Sequence, residues 1–192
     1  VVSHTTGPPN AVFRWQPAAS WGLLEGTSDL SGTRTAAAMH VAEVLGIAAE
    51  DMHPSVGDTD SIGYTAISAG SSAVYKTGWA SFEAARDLQR QLADRAALIW
   101  DVPVEEVDVN DDVFTHRSNT ELRLTLKEIA ARQNVTGGPL VGRAGGAWGG
   151  ESPGFAVHIV DVEVDPETGK TDIIRYTAVQ DPGTAIHPQY VE

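Results

Sequence analysis

The stretch GDTDSIGYTAISAGSSAVYKTG, residues 57–78, consists mostly of small and hydroxylated residues, with two aspartates near its start. Its middle part carries almost no large apolar side chain, so it can bury little hydrophobic surface. Packing of its own side chains therefore cannot hold this segment in place. Either neighbouring elements or a bound ligand must do so, and the surrounding sequence helps to decide between them.

The composition of the whole chain limits its partners. The 192 residues are 42 % hydrophobic, enough for one sizeable core or for part of a larger one. A net charge of −13 would repel nucleic acid and anionic membranes. Cysteine is absent, which excludes disulfides and thiolate-bound zinc or iron–sulfur clusters in this chain. Because no long apolar run or signal pattern occurs, we expect a cytoplasmic protein that binds neither nucleic acid nor membrane.

Three helices are predicted from the spacing of apolar residues and from end signals. One runs from about residue 33 to 45 and ends at Gly46, a residue suited to a helix C-terminus. A longer one runs from about 78 to 100. The third begins at Thr125, which forms the T-x-x-E pattern of a capping box with Glu128.

Strands are predicted between the helices, at about residues 21–29, 52–56, 107–109, 155–164 and 171–179. The last two are joined by DPETGK (165–170), a hairpin loop in which Gly169 can adopt positive φ. Valines at 160, 162 and 164 alternate with acids, which predicts one buried face and one wet face. Without a regular βαβ repeat, the pattern favours an α+β fold, a mixed sheet with packed helices. We expect an irregular N-terminal segment over residues 1–20 and one domain over residues 21–192.

Several tempting ligand motifs fail. The GRAGGAWGG run (142–150) lacks nucleotide-binding spacing and a following helix, so a mobile surface loop is the better interpretation. Asp58, Asp60 and Gly63 begin like a calcium loop, but the later oxygen ligands are missing. The six histidines are scattered without ligand spacing, so we expect structural histidines and no metal ligands.

Five segments, in the right order, resemble the molybdopterin-binding (large, catalytic) subunit of the xanthine dehydrogenase and aldehyde oxidase family. They are LSGTRTAAAMHVAEVLGI (30–47), VGDTDSIGYTAISAGSS (56–72), TG (77–78), HIVDVEVDPETGK (158–170) and AVQDPGTAIHPQYVE (178–192). The resemblance implies part of the molybdenum-cofactor-binding domain of a molybdenum hydroxylase. Such enzymes hydroxylate an aldehyde or an N-heterocycle oxidatively, with water as the oxygen source.

The resemblance also implies a cofactor-binding role for the small residues. It places Ala69, Gly70, Ser71 and Ser72 in a turn facing the molybdenum cofactor, which is molybdopterin or its dinucleotide form. The turn of Ser31, Gly32 and Thr33 takes the place of a glutamine-containing family turn. Small residues suit this role because they let backbone N–H groups and hydroxyls approach a flat polar ligand. The residues alone leave a simpler interpretation open, a Gly/Ser loop without a ligand.

Two departures weaken the expected grip on the cofactor. The family glutamine that hydrogen-bonds the cofactor is absent from the turn at residues 29–33, so its contact is lost or moved to Ser31 or Thr33. Ser72 stands where members similar to this sequence often carry an arginine, which predicts a weaker anchor for an anionic tail.

No catalytic residue is expected in this chain. Glu151 lies in a G-E-x-P pattern like that around the catalytic glutamate of the family, but that glutamate follows the DPETG hairpin, whereas Glu151 precedes it. We therefore expect Glu151 to be an exposed loop acid and the chain to be a fragment that is inactive alone. It would need the remainder of the large subunit or a companion chain, iron–sulfur and FAD subunits or domains, and a small-molecule substrate. The alternative is a non-catalytic binding or assembly module that keeps the fold without cofactor.

Overall fold

The computed structural model describes residues 10–16, 20–62, 65, 67–146 and 154–191. They divide into two compact units, Val1–Trp148 and Gly149–Glu192, and each is described by itself. The boundary between the units falls inside the region that the sequence assigns to one domain. The described strands are β1 (Asn10–Gln16), β2 (Ser20–Glu25), β3 (Met52–Val56), β4 (Val107–Asn110), β5 (Val113–His116), β6 (Asn119–Thr125), β7 (Val141–Gly145), β8 (Phe155–Val164) and β9 (Thr171–Asp181). The helices are α1 (Thr33–Leu45), α2 (Thr59–Ile62), α3 (Ala73–Trp100), α4 (Leu126–Ala131), α5 (Gln133–Thr136) and α6 (Pro188–Val191).

A four-stranded mixed sheet organises the first unit, in the order β3-β2-β1-β7. β1 pairs antiparallel with both β2 and β7, whereas β2 and β3 pair parallel, with Leu23 opposite Pro54. Helix α1 connects the two parallel strands, so β2, α1 and β3 form a βαβ unit. The predicted α+β class with a mixed sheet is confirmed. Since parallel strands end at the same edge of a sheet, the segments after β2 and after β3 begin side by side.

The core of this unit lies between the sheet and the two longer helices. Trp21 and Leu23 of β2 are fully buried, as are Val41 of α1 and Leu88 of α3. The two helices approach each other closely at Gly78, where an added Cβ would lie 2.9 Å from ring atoms of the α1 residue His40. The start of α3 therefore cannot shift without opening this contact.

Local signals place the helices well. Helix α1 has the predicted bounds, and Gly46 closes it with φ 62°. Helix α4 starts with the predicted capping box, in which Thr125 Oγ1 accepts from Glu128 N and Glu128 Oε2 accepts from Thr125 N. Helix α3 starts at Ala73, earlier than predicted. Its first turn precedes the apolar stripe, so periodicity alone does not reveal it.

A second sheet in this unit was predicted only in part. Strands β4, β5 and β6 form an antiparallel meander, of which the sequence pattern reveals β4 alone. The turn before β6 is closed by His116, whose Nδ1 accepts from the backbone N–H groups of Ser118 and Asn119. His116 Nε2 lies 2.8 Å from a Glu106 carboxylate oxygen, so this buried histidine has a structural role.

Two sequence predictions for the first sheet are wrong. Residues 10–16 were expected to be irregular but form β1, which pairs on both sides. The glycine run was expected to be a loop, but residues 141–145 form β7, while 147–150 lie outside the described residues. Glycine suits this strand because an added Cβ at Gly142 would lie 2.1 Å from the Ala84 carbonyl oxygen of α3.

The second unit is a two-stranded ribbon of β8 and β9 followed by the short helix α6. Its hairpin is confirmed: Gly169 has φ 72°, and its N–H donates to the Asp165 carbonyl. The predicted buried face is wrong for the described residues, because Val160 is 39 % exposed and Val162 is 49 % exposed. Within the described part of this unit, no second layer covers these apolar side chains.

Candidate functional site

The two segments that the sequence singles out meet at one corner of the first sheet. Residues 26–32 follow β2 and residues 57–72 follow β3, at the edge where both parallel strands end. Thr65 Oγ1 donates to the Gly26 carbonyl over 2.7 Å, and the hydroxyl oxygens of Thr27 and Ser68 lie 3.5 Å apart. Neighbouring elements therefore hold the small-residue segment in part. We call this region, residues 25–33 and 65–76, the sheet corner.

The backbone of the sheet corner has an unusual form in both segments. Ser31 and Gly32 have φ values of 56° and 74°, and Gly70 and Ser71 have values of 61° and 54°. A left-handed conformation costs a non-glycine residue about 1–2 kcal/mol. Asp101 and Asp111, which also have positive φ, end a helix and form a hairpin turn, so they have ordinary causes. Strain at Ser31 and Ser71 is instead typical of a functional site.

The left-handed residues are also the accessible ones. Ser31, Gly32, Gly70 and Ser71 are exposed, whereas Ala69 and Ser72 are half-buried. Thr33 is 1 % exposed, and its hydroxyl donates to the Leu30 carbonyl. Thr33 is the one predicted cofactor-binding residue that is buried, so its side chain is not available to a ligand in this structure.

The N-terminus of α3 presents free hydrogen-bond donors at the sheet corner. Ser72 precedes the helix without capping it, because its hydroxyl donates to the Ala69 carbonyl over 2.7 Å. Within the described residues, no acceptor binds the backbone N–H of Ala73 or Val74, and the first turn carries no acid. Unpaired N–H groups and the helix dipole together favour an anionic ligand.

The N-terminus of α1 is already closed by its own chain. Asp29 accepts from the Arg34 backbone N–H over 3.2 Å and from the Arg34 guanidinium over 2.7 Å. The hydrogen bonds that Arg34 donates through its backbone and side chain lower the pKa of Asp29. This carboxylate is therefore ionised at neutral pH and disfavours a second anion at α1.

Glu25 is a residue of this corner that motif reasoning missed. It is fully buried, and neither carboxyl oxygen has a hydrogen-bond partner among the residues that the structure describes. Burial, and then the Asp29 carboxylate, raise the pKa of Glu25 from 4.5 to about 7, against the lowering influence of Arg34. One signal was available in the sequence. Glu25 continues the alternation of Trp21 and Leu23, so it occupies a core-facing strand position.

The other patterns that the sequence offers form no metal site among the described residues. Within the described ranges, no group of three or more His, Asp or Glu could hold a metal ion. Helix α2 forms where the calcium-like pattern occurs, and Gly63 lies outside the described residues. Glu151 also lies outside them. Among the helices that can be described, none is both long and apolar enough to cross a membrane.

The sheet corner defines a class of protein, an α+β domain in which free helix N–H groups and small residues lie at one edge of a mixed sheet. The comparisons give the family: this chain belongs to the molybdopterin cofactor-binding domain family, whose model matches residues 5–192. The carbon monoxide dehydrogenase large chain of Afipia carboxidovorans is 28 % identical over 189 residues, which are 95 % of this chain and 23 % of that protein.

Solved structures agree with this assignment. The Cu,Mo-CO dehydrogenase in its carbon monoxide reduced state matches with a TM-score of 0.81 and 25 % identity, over 95 % of this chain and 24 % of that chain. The quinoline 2-oxidoreductase of Pseudomonas putida 86 shares the fold, with a TM-score of 0.75 and 23 % identity over 97 % of this chain and 25 % of that chain. The chain thus spans about a quarter of the length of these relatives. The predicted family resemblance is confirmed.

Proposed function

We propose that this chain forms part of the cofactor site of a molybdenum hydroxylase, with the α3 side of the sheet corner as its main contact. The observation that carries the proposal is the free N-terminus of α3 beside the exposed, left-handed Gly70 and Ser71. Ala69 and Ser72 shape this turn. Ser31 and Gly32 provide a second, weaker contact, because Asp29 already occupies the start of α1.

The donors at the corner fit the molybdenum cofactor. Its pterin and its phosphate or dinucleotide tail are rich in acceptors, and the α3 turn offers backbone N–H groups and the Ser71 hydroxyl. The first turn of α3 lacks acids, so it does not repel a phosphate. When bound, the cofactor supplies two-electron redox chemistry at molybdenum. The residues of this chain bind and orient it, and none of them is assigned a catalytic role.

The activity proposed for the complete subunit is oxidative hydroxylation with water as the oxygen source. The substrate would be an aldehyde or an N-heterocycle. One relative is named a carbon monoxide dehydrogenase and another a quinoline oxidoreductase, so the family accommodates different substrates. We further propose that the chain alone does not turn over, that it works in the cytoplasm, and that electrons leave through iron–sulfur and FAD subunits or domains.

The exposed ribbon supports a partner within the same subunit. Apolar side chains on β8 and β9 include Phe155 at 71 % and Ile173 at 66 % exposure. A ribbon with several large exposed apolar side chains is typical of an interaction site. Because the relatives are about four times longer than this chain, we propose that the remaining part of a large subunit covers the ribbon. A separate companion chain in that place would refute this choice of partner.

Molybdenum and pterin analysis tests the cofactor proposal. The chain is produced in a host that makes the cofactor, with and without the rest of a large subunit, and molybdenum and pterin are measured per chain. Ser71→Asp places a negative charge at the α3 turn and should lower occupancy at least tenfold, by about 1.4 kcal/mol or more. Ser118→Asp, in an exposed turn away from the corner, should leave occupancy unchanged.

The alternative function is a binding or assembly module that keeps the fold without cofactor. The exposed ribbon favours it, since a docking surface is useful without any chemistry. Folded protein that contains neither molybdenum nor pterin, even with the flanking subunit present, would establish this alternative. Occupancy that is unaffected by Ser71→Asp would refute the α3 turn as the contact.

A further inference from the structure

Glu25 is a buried acid without a partner beneath the sheet corner. It follows Trp21 and Leu23 on the core-facing side of β2, and both of its carboxyl oxygens are inaccessible and unbonded. A buried polar group is almost always hydrogen-bonded, so each exception needs an explanation. The proposed cofactor contacts leave this carboxyl group unused.

Among the described residues, no cation forms an ion pair with Glu25. Its strand neighbours are Ala11 of β1 and Val56 of β3, neither of which is titratable. Two charged groups act on it electrostatically, Asp29 and Arg34. Arg34 is held by the Asp29 carboxylate over 2.7 Å, so its charge is largely neutralised.

The titratable side chains in the first turn of α3 also provide no hydrogen bond to Glu25. They are Tyr75 and Lys76, and neither forms a hydrogen bond with the Glu25 carboxyl group. An ionised carboxylate buried without donors is far costlier than a neutral acid. Ionisation of Glu25 therefore favours a movement that lets water reach the carboxylate.

Such movement would first weaken the hydrogen bonds that join the two segments of the sheet corner. The Glu25 carbonyl accepts from Gly57 N over 2.7 Å, and the next carbonyl, that of Gly26, accepts from Thr65 Oγ1. The following residue, Thr27, contacts Ser68. Displacement of the end of β2 would loosen these contacts and separate the turn at Ser31 from the turn at Gly70.

We propose that Glu25 is a positioning residue whose uncharged carboxyl group favours the closed sheet corner, in which the two segments stay joined. The sheet corner would therefore open more readily as pH rises. The consequence for cofactor binding rests on the function proposed above, whereas the opening itself does not.

The direction of the pH dependence follows from the raised pKa of Glu25. Since the pKa of Glu25 is raised from 4.5 to about 7, the closed corner binds a proton that the open corner loses. Protection of the sheet-corner amides against hydrogen exchange is therefore greatest below about pH 4.5. It falls up to about tenfold per pH unit as pH rises towards 7, and it levels off above that. A group with an ordinary pKa would produce no slope in this range.

Amide hydrogen exchange measures the opening in the cofactor-free chain. Exchange of peptides covering residues 24–33 and 65–72 is followed by mass spectrometry from pH 5 to 8 and corrected for intrinsic rates. The natural chain should show the slope. Glu25→Gln, which cannot ionise, should flatten it, and Glu121→Gln, at an exposed position of β6, should leave it unchanged. The same slope in Glu25→Gln, or no slope in the natural chain, overturns the proposal.

A second variant tests the same proposal in case Glu25→Gln misfolds. Asp29→Asn removes a charge that raises the pKa of Glu25 and frees Arg34, so protection should level off at a lower pH. An unchanged profile in Asp29→Asn contradicts the proposal. Cofactor retention, measured as pterin released between pH 5 and 8, is a separate readout. A chain that shows the exchange slope but never binds pterin refutes the proposed function and leaves the role of Glu25 standing.

Discussion

The turns before α1 and before α3 share one backbone feature but differ in electrostatics. Each has two consecutive left-handed residues, Ser31 and Gly32 in one and Gly70 and Ser71 in the other. The start of α1 is closed by the ionised Asp29, whereas the start of α3 carries no acid. Backbone shape alone therefore does not make an anion site, because the donors must also remain unpaired.

The largest expected effect comes from making the α3 turn resemble the α1 turn. Ala69 precedes Ala73 by four residues, as Asp29 precedes Thr33 at α1. Ala69→Asp should therefore pair with the free N–H groups and repel an anion, lowering molybdenum and pterin occupancy by more than tenfold. Metal and pterin analysis of purified protein measures this, with Ser118→Asp as the matched control. Full occupancy of the Ala69→Asp protein would mean that the cofactor does not use this helix.

The start of α4 provides a reference for a helix that is capped in full. Thr125 and Glu128 form both hydrogen bonds of the capping box. Thr125→Ala should lower the free energy of unfolding by about 1 kcal/mol. The shift is measured as a change in urea midpoint by circular dichroism. Thr120→Ala, at an exposed position of the same strand, should have little effect, and equal shifts for both variants would contradict the importance of the cap.

A smaller effect is expected from opening α1. Asp29 is ionised and paired with Arg34, and its pKa is lowered, so it stabilises the fold above the usual aspartate pKa. This contribution is lost as pH falls through the lowered pKa. Asp29→Asn should reduce the urea midpoint slightly at pH 7, and this deficit should shrink as pH falls below the usual aspartate pKa. A deficit of equal size at neutral and at acidic pH would show that the charge of Asp29 is not the cause.

The smallest effect is expected from the hydroxyl that shapes the α3 turn. Ser72→Ala removes the hydrogen bond to the Ala69 carbonyl and should cost about 0.5 kcal/mol, because the partner carbonyl can bind water. Denaturation measured alongside Thr125→Ala checks the order of the two effects. A larger loss for Ser72→Ala would mean that the turn contributes to stability more than the capped helix start does.

Sequence reasoning succeeded where a local signal exists and failed where it is missing. Helix α1 and the capping box of α4 follow from residues within one or two turns. Strand β1 was missed, although its partner β2 follows it closely, because residues 10–16 show no clear strand period; its other partner, β7, lies far along the chain. The alternation in β8 predicts which side chains favour burial, but the described unit contains no layer that could bury them.

The sequence by itself determined the family, the fold class and the small residues of the two turns, because these depend on residue type and short spacing. Only the tertiary structure decided that the two segments of the sheet corner meet, that α1 is closed while α3 is open, and that Glu25 is buried with no hydrogen-bond partner among the described residues. The reason is physical. Parallel pairing of β2 with β3 across α1 brings distant residues to one edge, and the accessibility and ionisation of each group depend on those neighbours rather than on its position in the chain.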